Sequence, residues 1–279
     1  MSGRARGGAL RRFGRNIPAV AATVVLVAIT LTALVGPMLY PVDPFDMVGR
    51  PASRPFDRFP LGTDVSGRDI LAGLIHGARV TLLIGFAASF VATAVGVTVG
   101  ALAGYYGRAV DTVLMRATDF FLTIPSFVLA VVLIAIFRPS LISVTGAIAA
   151  VSWPPIARLA RAEFIAQRER DYVQACRALG MSDARIIVVQ ILPNALPPVI
   201  VVSSLLVATA ILTESGLSFL GLSDPDAMSW GYMIGVGRTV LRTAPWMPAI
   251  PGMAILVTVM CINLIGEGLN DAFNPRLRG

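Results

Sequence analysis

The amino-acid sequence predicts an all-α integral membrane protein with six transmembrane helices. Three observations carry the prediction. Of 279 residues, 56% are hydrophobic and only 14% charged, far too apolar a balance for a domain that hides its core from water. Six stretches, roughly 17–40, 80–106, 120–137, 139–157, 191–213 and 243–266, carry no charged side chain, against the ~20 residues that a helix needs to cross a bilayer. Arginines gather in alternate connections between those stretches, the mark of segments retained on the cytoplasmic side.

Segment 1–16 holds Arg4, Arg6, Arg11, Arg12 and Arg15 and is expected in the cytoplasm. The apolar run from Ile17 to Leu39 is long enough to span, and no small-x-small cleavage site closes it, so it reads as a retained first helix rather than a secretory signal. Residues 41–79 form an external loop in which Asp43, Asp46 and Asp57 are mixed with Arg50, Arg54 and Arg58. Residues 80–270 then hold the remaining five spans, and 271–279 a cytoplasmic tail. Six crossings bring both termini to one side. Arg108 and Arg116 after span two, six arginines from Arg158 to Arg185, and Arg276 and Arg278 place that side in the cytoplasm.

Span two repeats small residues every fourth position, Ala88, Ala92, Gly96, Gly100 and Gly104. Such a row either lets a second helix approach closely or reflects the general abundance of glycine in membrane helices. Pro125, Pro154-Pro155 and Pro197-Pro198 mark kinks or span boundaries. The six stretches contain no ionisable residue, which argues against a proton-coupled carrier. Glu214, at the outer end of span five, reads as a solvated helix-end carboxylate.

All the positive charge is arginine, because the chain has no lysine. A phosphate-binding loop of the form G-x-x-x-x-G-K-[ST] is therefore excluded, and with it ATP hydrolysis by the chain alone. One histidine, His76, cannot assemble a zinc site and reads as structural or interfacial. Cys176 and Cys261 fall in a cytoplasmic connection and inside a span, where a structural disulfide is not expected. The net charge of +7 fits cytoplasmic retention of arginine better than nucleic-acid binding. A membrane-embedded hydrolase is disfavoured because a histidine pair and a G-x-S-x-G elbow are both missing.

The connection at 161–194 is long for a compact membrane protein, and it is patterned. Tyr172, Ala175, Cys176 and Leu179 recur at helical spacing, with Gln174 and Arg177 on other faces. Gly180 supplies a left-handed stop, and Ser182, after Met181, is placed to cap a second helix near Asp183. The pattern is helix, tight turn, helix. It suits either a partner's groove or the lipid headgroups.

Q-A-C-x-x-L-G at 174–180, nine further residues and Q-I-L-P resemble the EAA loop of ABC importer permeases. Gln174 and Cys176 depart from the usual glutamate and second alanine, whereas the turn glycine and Leu192-Pro193 are kept. PLGTDVSGRDILAGLIHGARVTLLIG at 60–85, ESGLSFLGL at 214–222, SWGYMI at 229–234 and NLIGEGLNDAFNPRLR at 263–278 extend the resemblance to the dipeptide, oligopeptide and nickel permeases, and within them to the second, shorter permease. This resemblance implies a permease subunit in the bacterial inner membrane, without catalysis, metal or cofactor of its own. Its partners would be a homologous permease, two ATP-binding subunits that carry ATP and Mg, and an external solute-binding protein. The coupling contact would lie at Tyr172, Gln174, Ala175, Cys176, Arg177, Leu179, Gly180, Met181 and Ser182. Peptides are the expected solute, with nickel or another small solute as the alternative and a secondary transporter as the rival class.

Outside the membrane, LGTDVSGRD at 61–69 reads as a turn held by carboxylate–arginine hydrogen bonds or as a direct substrate contact. In the loop after Glu214, Asp224, Asp226 and Trp230 are candidates for binding-protein contact, against an alternative of glycine turns and an interfacial tryptophan anchor.

Overall fold

The structure, a computed structural model, describes residues 12–273. Arg4, Arg6, Arg11, Arg276, Arg278 and the end of the C-terminal motif lie outside the described residues. Nine helices follow in order among those described: α1 (Ile17–Leu39), α2 (Ile70–Tyr106), α3 (Arg108–Thr123), α4 (Ser126–Phe137), α5 (Leu141–Arg168), α6 (Asp171–Ala178), α7 (Asp183–Phe219), α8 (Trp230–Gly237) and α9 (Trp246–Phe273).

Helix α1 starts where the sequence stops being basic. Asn16 caps it through its side-chain oxygen, which accepts from the Ala19 amide, and Pro18 occupies the first turn, where its missing N–H costs nothing. Helix α2 starts ten residues before the expected span, because Asp69 caps it by accepting from the Leu71 amide. His76 and Arg79 therefore lie on a helix that projects beyond a bilayer thickness. At 37 residues α2 is about 56 Å long.

The third span is broken. Helices α3 and α4 meet at 87° around Ile124 and Pro125, and α4, at 12 residues or ~18 Å, is too short to cross alone. Direction still requires one crossing here. The end of α2 packs on the end of α5, since a Cβ on Gly104 would meet the Arg161 carbonyl and Phe164. Together α3 and α4 must return the chain to the start of α5 at the opposite end. Two ion pairs hold α3 against α5, Arg161–Asp111 at 2.5 Å and Arg158–Asp119 at 2.6 Å.

The small-residue row of α2 is a packing seam. Ala88, Ala92, Gly96, Gly100 and Gly104 are all buried. A Cβ on Gly96 would lie 2.8 Å from the Trp153 carbonyl, and one on Gly100 2.4 Å from that of Ala157. Backbone meets backbone along the seam, so α2 and α5 form one stiff pair. Pro154 and Pro155 sit within α5, and Pro197 and Pro198 within α7, rather than at helix ends.

Both described ends of the chain lie together. Asn16 donates to Asp271, and Gly268 packs on Ala19. The turn between α6 and α7 lies at this same end of the bundle, because Tyr105, at the finish of α2, reaches Asp183. Gly36 near the other end of α1 touches Ile75 near the start of α2, at the opposite mouth. That mouth is capped by the folded 41–69 loop and by α8.

Candidate functional sites at the two ends of the bundle

The expected 161–194 connection is mostly continuous with its neighbours. Residues 161–168 complete α5, and α7 begins at Asp183, leaving α6 and its two turns as the projecting hairpin. Helix α6 stops as Gly180 adopts φ 73°. The Gly180 amide then donates to the Arg177 carbonyl at 2.9 Å, and the Met181 amide to that of Cys176 at 3.1 Å, a Schellman closure. Ser182 sits at the N-cap with extended backbone, but its side chain makes no capping bond; its carbonyl accepts from the Ile186 amide instead.

The evenly spaced row of the hairpin divides between two faces. Val173 is fully buried, and with Tyr172, Cys176 and Met181 it packs on Tyr105, Phe164, Ile186 and Ile191. Gln174, Ala175, Arg177 and Ala178 face outward, and Leu179 is 85% exposed. An apolar tip of Ala175, Ala178, Leu179 and Gly180 thus stands free, with no atom within 4 Å of where a Gly180 Cβ would sit. Helical spacing groups Leu179 with Tyr172, Ala175 and Cys176, but the Schellman turn leaves it outward beside Ala175, and Val173 takes the core.

The hairpin is tied back to the bundle by polar bonds. Tyr105, 4% exposed, donates its hydroxyl to Asp183 at 2.5 Å, and Arg177 stacks over the Tyr105 ring at 5.2 Å. Arg168 donates to the terminal carbonyls of α2, Gly104 and Tyr105. Tyr172 donates to Gln167. Directly after Asp183, α7 opens into a π-helical turn, Ile186–Ile191, the local widening that often marks functional positions.

At the opposite mouth the three candidate contact residues separate. Trp230 is 3% exposed: its amide donates to Thr81 Oγ1 and its indole to the Leu74 carbonyl, so it fastens α8 to α2 and presents nothing outward. Asp224 is half-buried and accepts from the Leu141 and Asp226 amides, anchoring the start of α5. Asp226 alone of the three is exposed.

Glu214, expected in solvent, is 1% exposed. Its Oε1 accepts from Ser218 and Ser229, while Oε2 has no partner. The carboxyl ties α7 to the start of α8, and Ser229, fifteen residues on across a loop, is what brings it inside.

The 61–69 turn is held by backbone donors rather than by arginine. Asp64 accepts from the Ser66 and Arg68 amides, and Gly62 and Gly67 take positive φ where a Cβ would strike the carbonyls of Ser53 and Gly49. Arg68 donates instead to the Tyr232 hydroxyl and lies over Phe45. Tyr40 donates to Asp69, tying the end of α1 to the start of α2. Among the described residues no three His, Cys, Asp or Glu side chains converge as a metal-binding group.

Comparison with known proteins matches residues 96–279 to the model of the "Binding-protein-dependent transport system inner membrane component" and residues 7–54 to the "N-terminal TM domain of oligopeptide transport permease C". The di/tripeptide transport system permease protein DppC of Pseudomonas aeruginosa is 39% identical, over 95% of this chain and 90% of the relative. The oligopeptide transport system permease protein OppC of Haemophilus influenzae is 34% identical, over 97% and 88%. In three dimensions the chain resembles the inward-facing MetNI methionine ABC transporter, with a TM-score of 0.60 at 20% identity, covering 74% of this chain and 98% of the other.

Proposed function

The chain belongs to the inner-membrane components of binding-protein-dependent transport systems, and from that premise we propose that it forms, with a homologous permease, the path by which di- and oligopeptides enter the cell. Two separate ATP-binding subunits supply the energy and an external binding protein delivers the solute. Peptide is favoured over nickel because the dipeptide and oligopeptide permeases match nearly the whole chain.

The hairpin of α6 is the contact through which the ATP-binding subunits drive the permease. Its exposed apolar tip carries this reading: an 85% exposed leucine on a charged, helix-bearing end of a membrane bundle is a surface awaiting a partner. Arg170, Arg177 and Arg185 are exposed on the same hairpin, which suits a groove with acidic walls and supports a cytoplasmic position for this end. The chain contributes conformational change and no catalysis. ATP binding in the partners would bias the permease pair between two states, with the hairpin carrying the bias into the bundle.

The test is co-purification. Leu179→Asp places a charge on the tip without touching the core, so the variant should reach the membrane at normal abundance, lose the ATP-binding subunits and stop taking up peptide. Retention of those subunits at wild-type stoichiometry would show that the tip is not their docking point. Uptake of peptide by the purified chain alone in liposomes would point instead to a secondary transporter.

A further inference from the structure

We infer that Tyr105 is a positioning residue of the transport cycle: its hydroxyl pins the start of α7 to the end of α2, so that displacement of the hairpin is delivered to the α2–α5 pair instead of dissipating in the π-helical turn. The inference rests on the hairpin being the contact with the ATP-binding subunits, and it names the route taken beyond that contact.

The route follows from what is stiff and what is not. Force entering at α6 has two exits, back along the chain into α5 and forward into α7. The forward exit passes directly into Ile186–Ile191, where the wider π-helical turn replaces the regular α-helical bonding. A push on Asp183 would there be absorbed locally. The Tyr105 hydroxyl closes that loss, because it holds Asp183 at 2.5 Å before the π-turn begins. Arg177 of α6 stacks on the same ring, so one side chain of α2 touches both arms of the hairpin.

What Tyr105 is attached to completes the argument. It stands in the last turn of an uninterrupted 37-residue helix without proline, whose backbone is locked on α5 at Gly96, Gly100 and Gly104. The far end of this rod begins at Ile70, next to Asp69 and Arg68, and carries the Leu74 carbonyl and Thr81 that hold Trp230 of α8. A shift of the α2–α5 pair at the hairpin end therefore reaches the opposite mouth without a flexible joint between.

The experiment uses the assembled importer, reconstituted with its ATP-binding subunits and binding protein, and reads labelled di- and tripeptide uptake per ATP hydrolysed. Tyr105→Phe keeps the ring, its packing and the Arg177 stack and removes only the oxygen. It should retain the ATP-binding subunits and their hydrolysis while uptake per ATP falls several-fold, in line with the loss of one charge-assisted hydrogen bond. Asp183→Ala should behave alike, the double variant no worse than either, and Asp183→Asn, which keeps an acceptor without the charge, should fall between these variants and wild type. A Tyr105→Phe importer with wild-type uptake per ATP overturns the inference. So does one that sheds its ATP-binding subunits, since the hydroxyl would then only shape the hairpin. Should Leu179→Asp keep the subunits bound, it is the docking reading that fails, and that result is read independently of the Tyr105 variants.

Discussion

Replacing Gly180 isolates the hairpin turn from everything else in the molecule. The residue sits at φ 73°, where an L side chain is strained, yet a Cβ there would meet no atom within 4 Å. Substitution therefore acts through backbone conformation alone. Alanine should cost about 1–2 kcal/mol for the left-handed geometry, and valine more, because its branched Cβ tolerates positive φ least. Asparagine adopts that region readily and should cost little. The strain falls on the two Schellman bonds, Gly180 to Arg177 and Met181 to Cys176, whose loss would turn Leu179 away from its present direction. A penalty of that size shifts the population of correctly formed hairpins by roughly 5–30-fold.

The assay is retention of the ATP-binding subunits and peptide uptake at equal membrane expression, across Gly180→Asn, Gly180→Ala and Gly180→Val. The expected order of loss is asparagine least, valine most. Equal retention across the three would refute the reasoning, because no other property of the site distinguishes them. Gly107→Val is unsuitable as a control: Gly107 also has positive φ, and its Cβ would lie 3.1 Å from Arg168. Gly146→Ala, in α5 with open space around it, is the appropriate one.

Other variants probe the remaining framework. Gly100→Ala puts a Cβ 2.4 Å from the Ala157 carbonyl; it should destabilise the bundle by about 1–3 kcal/mol or more, read as a lower thermal midpoint in detergent, with Gly252→Ala unaffected. Glu214→Leu strands the Ser218 and Ser229 hydroxyls and should cost about 1–3 kcal/mol, whereas Glu214→Gln keeps an acceptor and should melt near wild type; equal midpoints for the two would remove the buried carboxyl from the account. On a background with both cysteines replaced, a cysteine at position 57 should react with an impermeant reagent in intact cells and one at position 182 only after lysis. Labelling of position 182 from outside would invert the orientation.

Much of the bundle was legible because lipid punishes charge, so charge-free length reports a crossing directly. That criterion measures the bilayer rather than the helix, which explains its errors at α2 and α5. Asp69 caps α2 well outside the charge-free stretch, and Arg158 to Arg168 continue α5 past it. Pro125 announced a break, but proline alone does not set an angle. The 87° bend arises as α3 is held against α5 by Asp111 and Asp119 while α4 packs its apolar face beside Val144 and Ile148.

The least legible features are those built from residues distant in sequence, and they carry the proposed mechanism. Gly180 declares its own turn, since only local backbone is involved. Nothing local marks Tyr105, an aromatic at the end of an apolar span, until Asp183 arrives 78 residues later to accept its hydroxyl. The same holds for Glu214 and Trp230, which read as surface groups because their partners, Ser229, Thr81 and the Leu74 carbonyl, belong to other segments. A polar side chain that pairs across the bundle is shielded by that pairing, and in a membrane protein such pairing decides which helices move together. Tyr105 and Trp230 bind the two ends of one rod, α2, to the hairpin and to α8. Any importer cycle that moves the hairpin must therefore either move the far mouth or break one of these bonds.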